Sequence, residues 1–419
     1  MKVWYFYALF FGVLILSSRL AGIYKIVPGN APDEPGHFRV INNLAHGKFM
    51  SVEREMKLKG YPYSLYNPLP YLPSIISLHI ANLVNPNILN LSIPLPDSLE
   101  AYSVEKVRII RFGQFFWTIL FFIFFAKFLY LFLKYIFPLY NLLQIQKIFF
   151  LVYLSVISIP QLLFIQCYSN MDAMGVFAVF YHLWSMFALS PVHFGISLFF
   201  VFCSKLNVYC VFAFSFVFFI YLRFKNCGYR MWVISTIVSM IFSTWWCFVL
   251  PFIHEMGIKS ILGFFLLPSL YDVTPIEITR SLLNDFIFYS IISSYGLFGW
   301  MTSPMPTTYY NYYYFIISVA PIFYLIRFLF IRPNSRILFF SVGFGLLVGA
   351  NLILHFISGF GHSFQPQGRY LIFSVLLFYV YFYSTLGSLA IKNDYLYLIS
   401  LIFLLSMHFK TIDTAIGAF

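Results

Sequence analysis

The chain has 419 residues, of which 61% are hydrophobic and only 10% charged, with a mean hydropathy of +0.83. That composition excludes a water-soluble domain of this length, and without a soluble basic domain the net charge of +12 does not point to nucleic acid. The five cysteines, Cys167, Cys203, Cys210, Cys227 and Cys247, have no paired spacing, which argues against a disulfide framework or a zinc site.

Apolar runs of about 20 residues recur, the length that crosses roughly 30 Å of hydrocarbon. They are continuous rather than alternating, so an all-α integral membrane fold is expected instead of a barrel. The first run, residues 3–23, reads as a retained signal anchor, with Arg19 in its last turn, either snorkelling or reaching a lipid phosphate. A polar stretch follows, containing Ala31-Pro32-Asp33-Glu34-Pro35-Gly36-His37-Phe38. Two adjacent acids between prolines stand out in so apolar a chain. Phe38, Ile41, Leu44 and Ala45 then recur at helical spacing, predicting a short amphipathic helix on the membrane. Asp33 as N-cap and Glu34 as first-turn residue of that helix is the plain alternative to a chemical role.

Residues 68–84 begin with three prolines and contain His79, and are expected to lie in the interface. Further spans are then expected at 109–133, 147–166, 171–189, 192–204, 207–222, 231–252, 312–330, 337–357, 370–389 and 394–412, eleven in all with the first. With this count the loops carrying Arg223, Lys225 and Arg230, and Arg327, Arg332 and Arg336, share a side with Lys2, Lys134, Lys147 and Lys392. By the positive-inside rule that side, with the N-terminus, is cytoplasmic. The chain reads as one polytopic domain, with a first external loop at 24–108 and a second large one at 253–311.

Four charged elements fall on the external face. Beside Asp33-Glu34 there is Asp172, heading an apolar segment as either an N-cap or a paired carboxylate. Lys205, between two short spans, suits a lipid-linked phosphate or an interfacial anchor. Arg369, in Gln367-Gly368-Arg369-Tyr370, matches phosphate oxygens with its planar fork, with snorkelling as the alternative. The neighbouring glycine frees the backbone for close approach. The run Tyr309 to Tyr314, interrupted only by Asn311, reads as an aromatic belt. Acids that deprotonate a hydroxyl or hold a divalent metal, beside bases that neutralise phosphate, fit group transfer from a lipid phosphate outside the cytoplasm.

The Pro-Asp-Glu-Pro-x-His-Phe stretch, Tyr66-Asn67-Pro68-Leu69-Pro70-Tyr71, Ser169-Asn170-Met171-Asp172-Ala173, Phe298-Gly299-Trp300 and Gln367-Gly368-Arg369-Tyr370 occur in this order over residues 28–390. The set resembles the motifs of a bacterial family of predicted GT-C superfamily membrane glycosyltransferases. In size and phenylalanine content the chain is also similar to phage-type O-antigen glucosyltransferases. It departs from the bacterial family at Gly36, where members often carry a bulkier residue, and after Trp300, where an acidic residue is missing.

The resemblance implies a GT-C bundle with interfacial helices in the first external loop. It also implies a polyprenyl-phosphate-sugar donor and a catalytic acid at Asp33 or Glu34. An inverting transfer to a lipid-linked, O-antigen-like glycan on the periplasmic face of the inner membrane is the expected activity. Arg369 and Lys205 would then hold the donor phosphate, and Asp172, His37 and Gln367 would form a second substrate or metal site; either the two cations suffice for the phosphate, or a Mg²⁺ or Mn²⁺ ion bridges Glu34 or Asp172 to it. His37 is otherwise structural. A lipid-linked sugar flippase, a polysaccharide polymerase or ligase, and an assembly partner remain as alternatives.

Overall fold

A computed structural model describes residues 2–26, 33–47, 67–89, 103–225, 229–246, 280–298, 303–330, 335–361 and 367–417. These residues are almost wholly helical. In chain order the helices are α1 (Lys2–Lys25), α2 (Glu34–Ala45), α3 (Leu72–Val84), α4 (Val104–Ile136) and α5 (Leu142–Ile157). Next come α6 (Pro160–Ile165), α7 (Asp172–Phe187), α8 (Pro191–Phe202), α9 (Val211–Phe224) and α10 (Arg230–Thr244). The last are α11 (Arg280–Gly296), α12 (Thr307–Phe330), α13 (Ser335–Gly361), α14 (Ile372–Ala390) and α15 (Asp394–Gly417). One antiparallel two-residue pair, Leu297–Phe298 with Ser303–Pro304, joins α11 to α12.

Among the described residues, five helices are long and apolar enough to cross a membrane: Val104–Ile136, Asn207–Phe224, Phe339–Ile357, Gly368–Ala390 and Asp394–Thr414. This is the architecture of an all-α, multi-pass membrane protein, and the five coincide with five of the eleven expected spans. The others differ. The expected span at 147–166 is split, because Pro160 lacks an N–H and forces Ile159 into extended backbone (φ −68°, ψ 118°). The segments expected at 171–189 and 192–204 are helices of 16 and 12 residues. α10 is described only to residue 246, and α1 and α12 run 24 residues each with some side chains outside the described set. α3, at 13 residues, covers about 20 Å and is too short to span, in keeping with an interfacial element.

α4 is the axis of the packing. Phe121, Phe125, Phe128 and Phe132 follow the helical i, i+4, i+7, i+11 spacing and are all buried. Edge-to-face contacts join Phe125 to Phe180 at 5.1 Å, Phe128 to Phe187 at 5.3 Å and Phe132 to Tyr381 at 5.5 Å. Lipid tails are as apolar as these rings, so close packing and quadrupole geometry, rather than water exclusion, favour this association. Arg19 is also buried. It donates to the Gln166 side chain and the Ile157 carbonyl, at 3.1 Å each, instead of reaching a headgroup.

A second apolar cluster carries the site. The apolar face of α2, with Phe38, Ile41 and Ala45, packs on Tyr71, Leu78, Val107 and Ile110. The face expected to rest on lipid therefore rests on α3 and the start of α4. α3 lies so close to α4 that a Cβ on Gly113 would come within 2.5 Å of the Ser74 Cα. The tyrosine run also turns partly inward: Tyr313 stacks on Tyr295 at 4.7 Å, and Tyr310 donates to the Gly296 carbonyl. In the segment expected as the second external loop, 280–298 and 303–311 are described, whereas His254, Glu255, Asp272, Glu277 and Gly299-Trp300 lie outside the described residues.

Candidate active site

Four chain segments meet at the N-terminal end of α2. Asp33 precedes that helix in left-handed backbone (φ 63°, ψ −4°), a conformation that Asp tolerates better than most residues. Its side chain makes no cap hydrogen bond. Instead the carboxylate accepts from Arg369 Nη2 at 2.6 Å. The capping explanation therefore fails for Asp33.

Arg369 enters from the turn Gly368–Leu371 at the head of α14. That turn is pressed against α11. A Cβ on Gly368 would lie 2.1 Å from both the Ser290 carbonyl and the Ser294 nitrogen, and the Gly368 N–H donates to Ser293 Oγ at 2.6 Å. Only glycine allows this approach, and the approach aims the arginine inward. Besides Asp33, the guanidinium donates from Nη1 to the Tyr168 hydroxyl at 2.8 Å. Its Nε lies 3.8 Å from Asp172 Oδ2, and neither of these two atoms has a hydrogen-bond partner.

Asp172 is the first residue of α7. The side chain that caps this helix belongs to Asn170, whose Oδ1 accepts from the N–H groups of Asp172 and Ala173 at 2.6 and 3.2 Å. The Asp172 carboxylate is thereby left for Lys205, 3.1 Å away. Lys205 also lies over the Tyr370 ring at 5.7 Å. Two acids and two bases thus form one network. Asp33 is its most open member, with a quarter of its side chain (26%) exposed.

Burial alone would raise the Asp33 carboxyl. The charge and hydrogen bond of Arg369, helped by Lys205, outweigh it and hold the group down at about 2. His37 is buried and its Nδ1 pairs with the Tyr71 hydroxyl at 2.7 Å. Desolvation, reinforced by Lys205, lowers this imidazole to about 3, so it is neutral at ordinary pH. Gln367 brings its Oε1 into the protein without a hydrogen-bond partner, while its backbone carbonyl accepts from the Tyr370 N–H at 3.1 Å.

Glu34 sits apart from the network. Both its oxygens accept from Arg111 at 2.7 Å, and one also accepts from the Ser169 N–H at 3.2 Å. Arg111 further donates to the carbonyls of Ile23 and Ile26, at 3.3 and 2.5 Å. This clamp ties together the end of α1, the head of α2, α4 and the loop before α7. Arg111 was not anticipated as a site residue. Its signal was an arginine within an otherwise apolar segment, which calls for a partner.

The expected metal does not suit these donors. Glu34 is held by a guanidinium, and Asp172 already faces two cations, so a divalent ion bridging either acid to a phosphate would meet positive charge at close range. Among the described residues no group of three or more His, Cys, Asp or Glu side chains could hold a metal ion. The chain matches no protein-family model, no curated protein and no solved structure.

Proposed function

We propose that the chain is an inverting membrane glycosyltransferase of the GT-C type. It takes a sugar from a polyprenyl-phosphate donor and adds it to a lipid-linked, O-antigen-like glycan. The loop charges favour a cytoplasmic N-terminus and a site at the periplasmic face of a bacterial inner membrane. The observation that carries this reading is the meeting of Asp33 with Arg369, and of Asp172 with Lys205, from four separate segments. Carboxylate for a hydroxyl proton and cations for a phosphate then stand side by side.

In the proposed reaction Asp33 takes the proton of an acceptor hydroxyl. The oxygen forms a bond to the anomeric carbon as the bond from that carbon to the phosphate oxygen breaks, on the opposite face. The bonding pair leaves with the phosphate, where Arg369 and Lys205 offset the growing charge. A positioned general base is worth about 10²–10⁴-fold. Asp33 is the base of the acidic pair in this scheme, because Glu34 is withdrawn from solvent and held at both oxygens by Arg111. The two cations serve the phosphate, so no step is assigned to Mg²⁺ or Mn²⁺.

The test is transfer from radiolabelled polyprenyl-phosphate hexose to cell-envelope glycan in purified membranes. Wild type and Asp33→Asn are compared at matched expression. Transfer by wild type and its near-total loss in the variant are expected. Equal transfer by both would remove Asp33 from the chemistry. No transfer by wild type with any hexose would favour a flippase or an assembly role.

A further inference from the structure

Each nitrogen of the Arg369 guanidinium has a protein group beside it: Nη2 donates to Asp33 (2.6 Å), Nη1 donates to Tyr168 (2.8 Å) and Nε lies 3.8 Å from Asp172. Both bidentate faces of the planar fork, Nε with Nη2 and Nη1 with Nη2, draw on the nitrogen that Asp33 holds, so a phosphate on either face meets the Asp33 carboxylate at close range and the two anions repel. The three protein groups differ in how firmly they are placed. Tyr168 and Asp172 are buried and fixed at the two ends of the loop before α7, and Asp172 is also bound to Lys205. Asp33 is the most exposed of the three, stands on left-handed backbone and gains no cap hydrogen bond from its own helix. Among the described residues the guanidinium is the hydrogen-bonding partner shown for that carboxylate.

We infer that Arg369 exchanges one anion for another: it holds Asp33 in the free protein and the donor-lipid phosphate in the loaded one. This rests on the glycosyltransferase reading and adds an order of events to it. Asp33 guards the phosphate subsite until donor arrives. Donor binding then pulls the arginine away and releases the carboxylate towards the acceptor hydroxyl. The base is tied up while no donor is present, so an acceptor that arrives alone is not deprotonated. Asp172 stays in place, keeping Lys205 beside the same subsite.

The exchange makes Asp33 a competitor of the phosphate, and this separates it from an ordinary binding or structural residue. The full chain in nanodiscs is titrated with radiolabelled polyprenyl phosphate, using wild type, Asp33→Asn and Asp33→Ala. Both variants are expected to bind several-fold more tightly than wild type while losing sugar transfer. Arg369→Gln is expected to weaken binding and to abolish the gain when combined with Asp33→Asn. Thermal unfolding of each variant in the same discs establishes that it is folded.

If wild type binds polyprenyl phosphate and transfers sugar, but neither Asp33 variant binds more tightly, the exchange is wrong and the enzymatic reading survives. If wild type binds polyprenol as well as polyprenyl phosphate, the site does not recognise phosphate and both readings fall. Inorganic phosphate separates the two sources of the anion. Competition by it at equal concentration would uphold the exchange with a free anion and overturn the lipid as occupant, whereas failure to compete supports the lipid.

Discussion

The Glu34 carboxylate and the Arg111 guanidinium form a two-pronged pair, 2.7 Å at each contact, with both side chains essentially inaccessible to solvent. A buried pair of this kind adds little net stability over apolar residues, but breaking it leaves one charge stranded. Glu34→Leu or Arg111→Leu alone is expected to destabilise the protein by about 3–5 kcal/mol. The double variant is expected to lose clearly less than the sum of the two. Unfolding in detergent checks this, and additive losses would show that the two side chains are not a unit.

Gly368 offers a sharper steric test. A Cβ at this position would overlap the Ser290 carbonyl and the Ser294 nitrogen, both backbone atoms of α11 that cannot rotate away. Gly368→Ala is expected to push the turn off α11, cost at least the ~1–3 kcal/mol of ordinary overpacking and displace Arg369. Polyprenyl phosphate binding should fall with it. A variant with unchanged melting temperature and unchanged binding would contradict the packing described for this turn.

His37 links the site to pH. In the folded protein this imidazole titrates at about 3, below its usual 6.5, because burial disfavours the charged form. The unfolded chain therefore takes up the proton first as pH falls. The stabilisation from this group is complete above 6.5 and is lost below it, by up to ~1.4 kcal/mol per pH unit. His37→Gln is expected to flatten the acid side of the stability profile between pH 6 and about 4 relative to wild type. Parallel profiles for the two proteins would mean that His37 is not buried as a neutral ring.

Lys205 and Asp172, 3.1 Å apart, should behave as a coupled pair. Lys205→Met removes charge from the phosphate subsite and leaves Asp172 with Arg369 only. Transfer is expected to drop by about 10²-fold, the scale of losing one charge-stabilising donor. Adding Asp172→Asn to Lys205→Met should cost little more. A double-mutant cycle on kcat/KM measures the coupling, and independent effects would place the two residues in separate roles.

The membrane class, the helical fold and the ends of several helices were legible along the chain, since apolar run length, proline and glycine act locally. So were four of the seven candidates: Asp33, Asp172, Lys205 and Arg369 were conspicuous as charges in a chain with few of them, and all four are brought together, whereas Glu34, equally conspicuous, pairs with Arg111. The break at Pro160 was missed because unbroken hydropathy on either side of Ser158–Ile159 outweighed the backbone restriction. The inward turn of α2 was missed because periodicity shows that a helix has an apolar face and not whether protein or lipid covers it.

Which of two adjacent acids faces the cations was beyond local reasoning. Asp33 and Glu34 differ by one residue, and the backbone sends one carboxylate to Arg369 and the other to Arg111, 336 and 77 positions away in the chain. By itself the sequence determined a polytopic helical protein with a small set of charges at helix ends, because the energy of burying charge and backbone in lipid depends on each segment alone. The tertiary structure decided who pairs with whom, because an ion pair is set by the distance between residues far apart in the chain, and only the packed helices fix that distance.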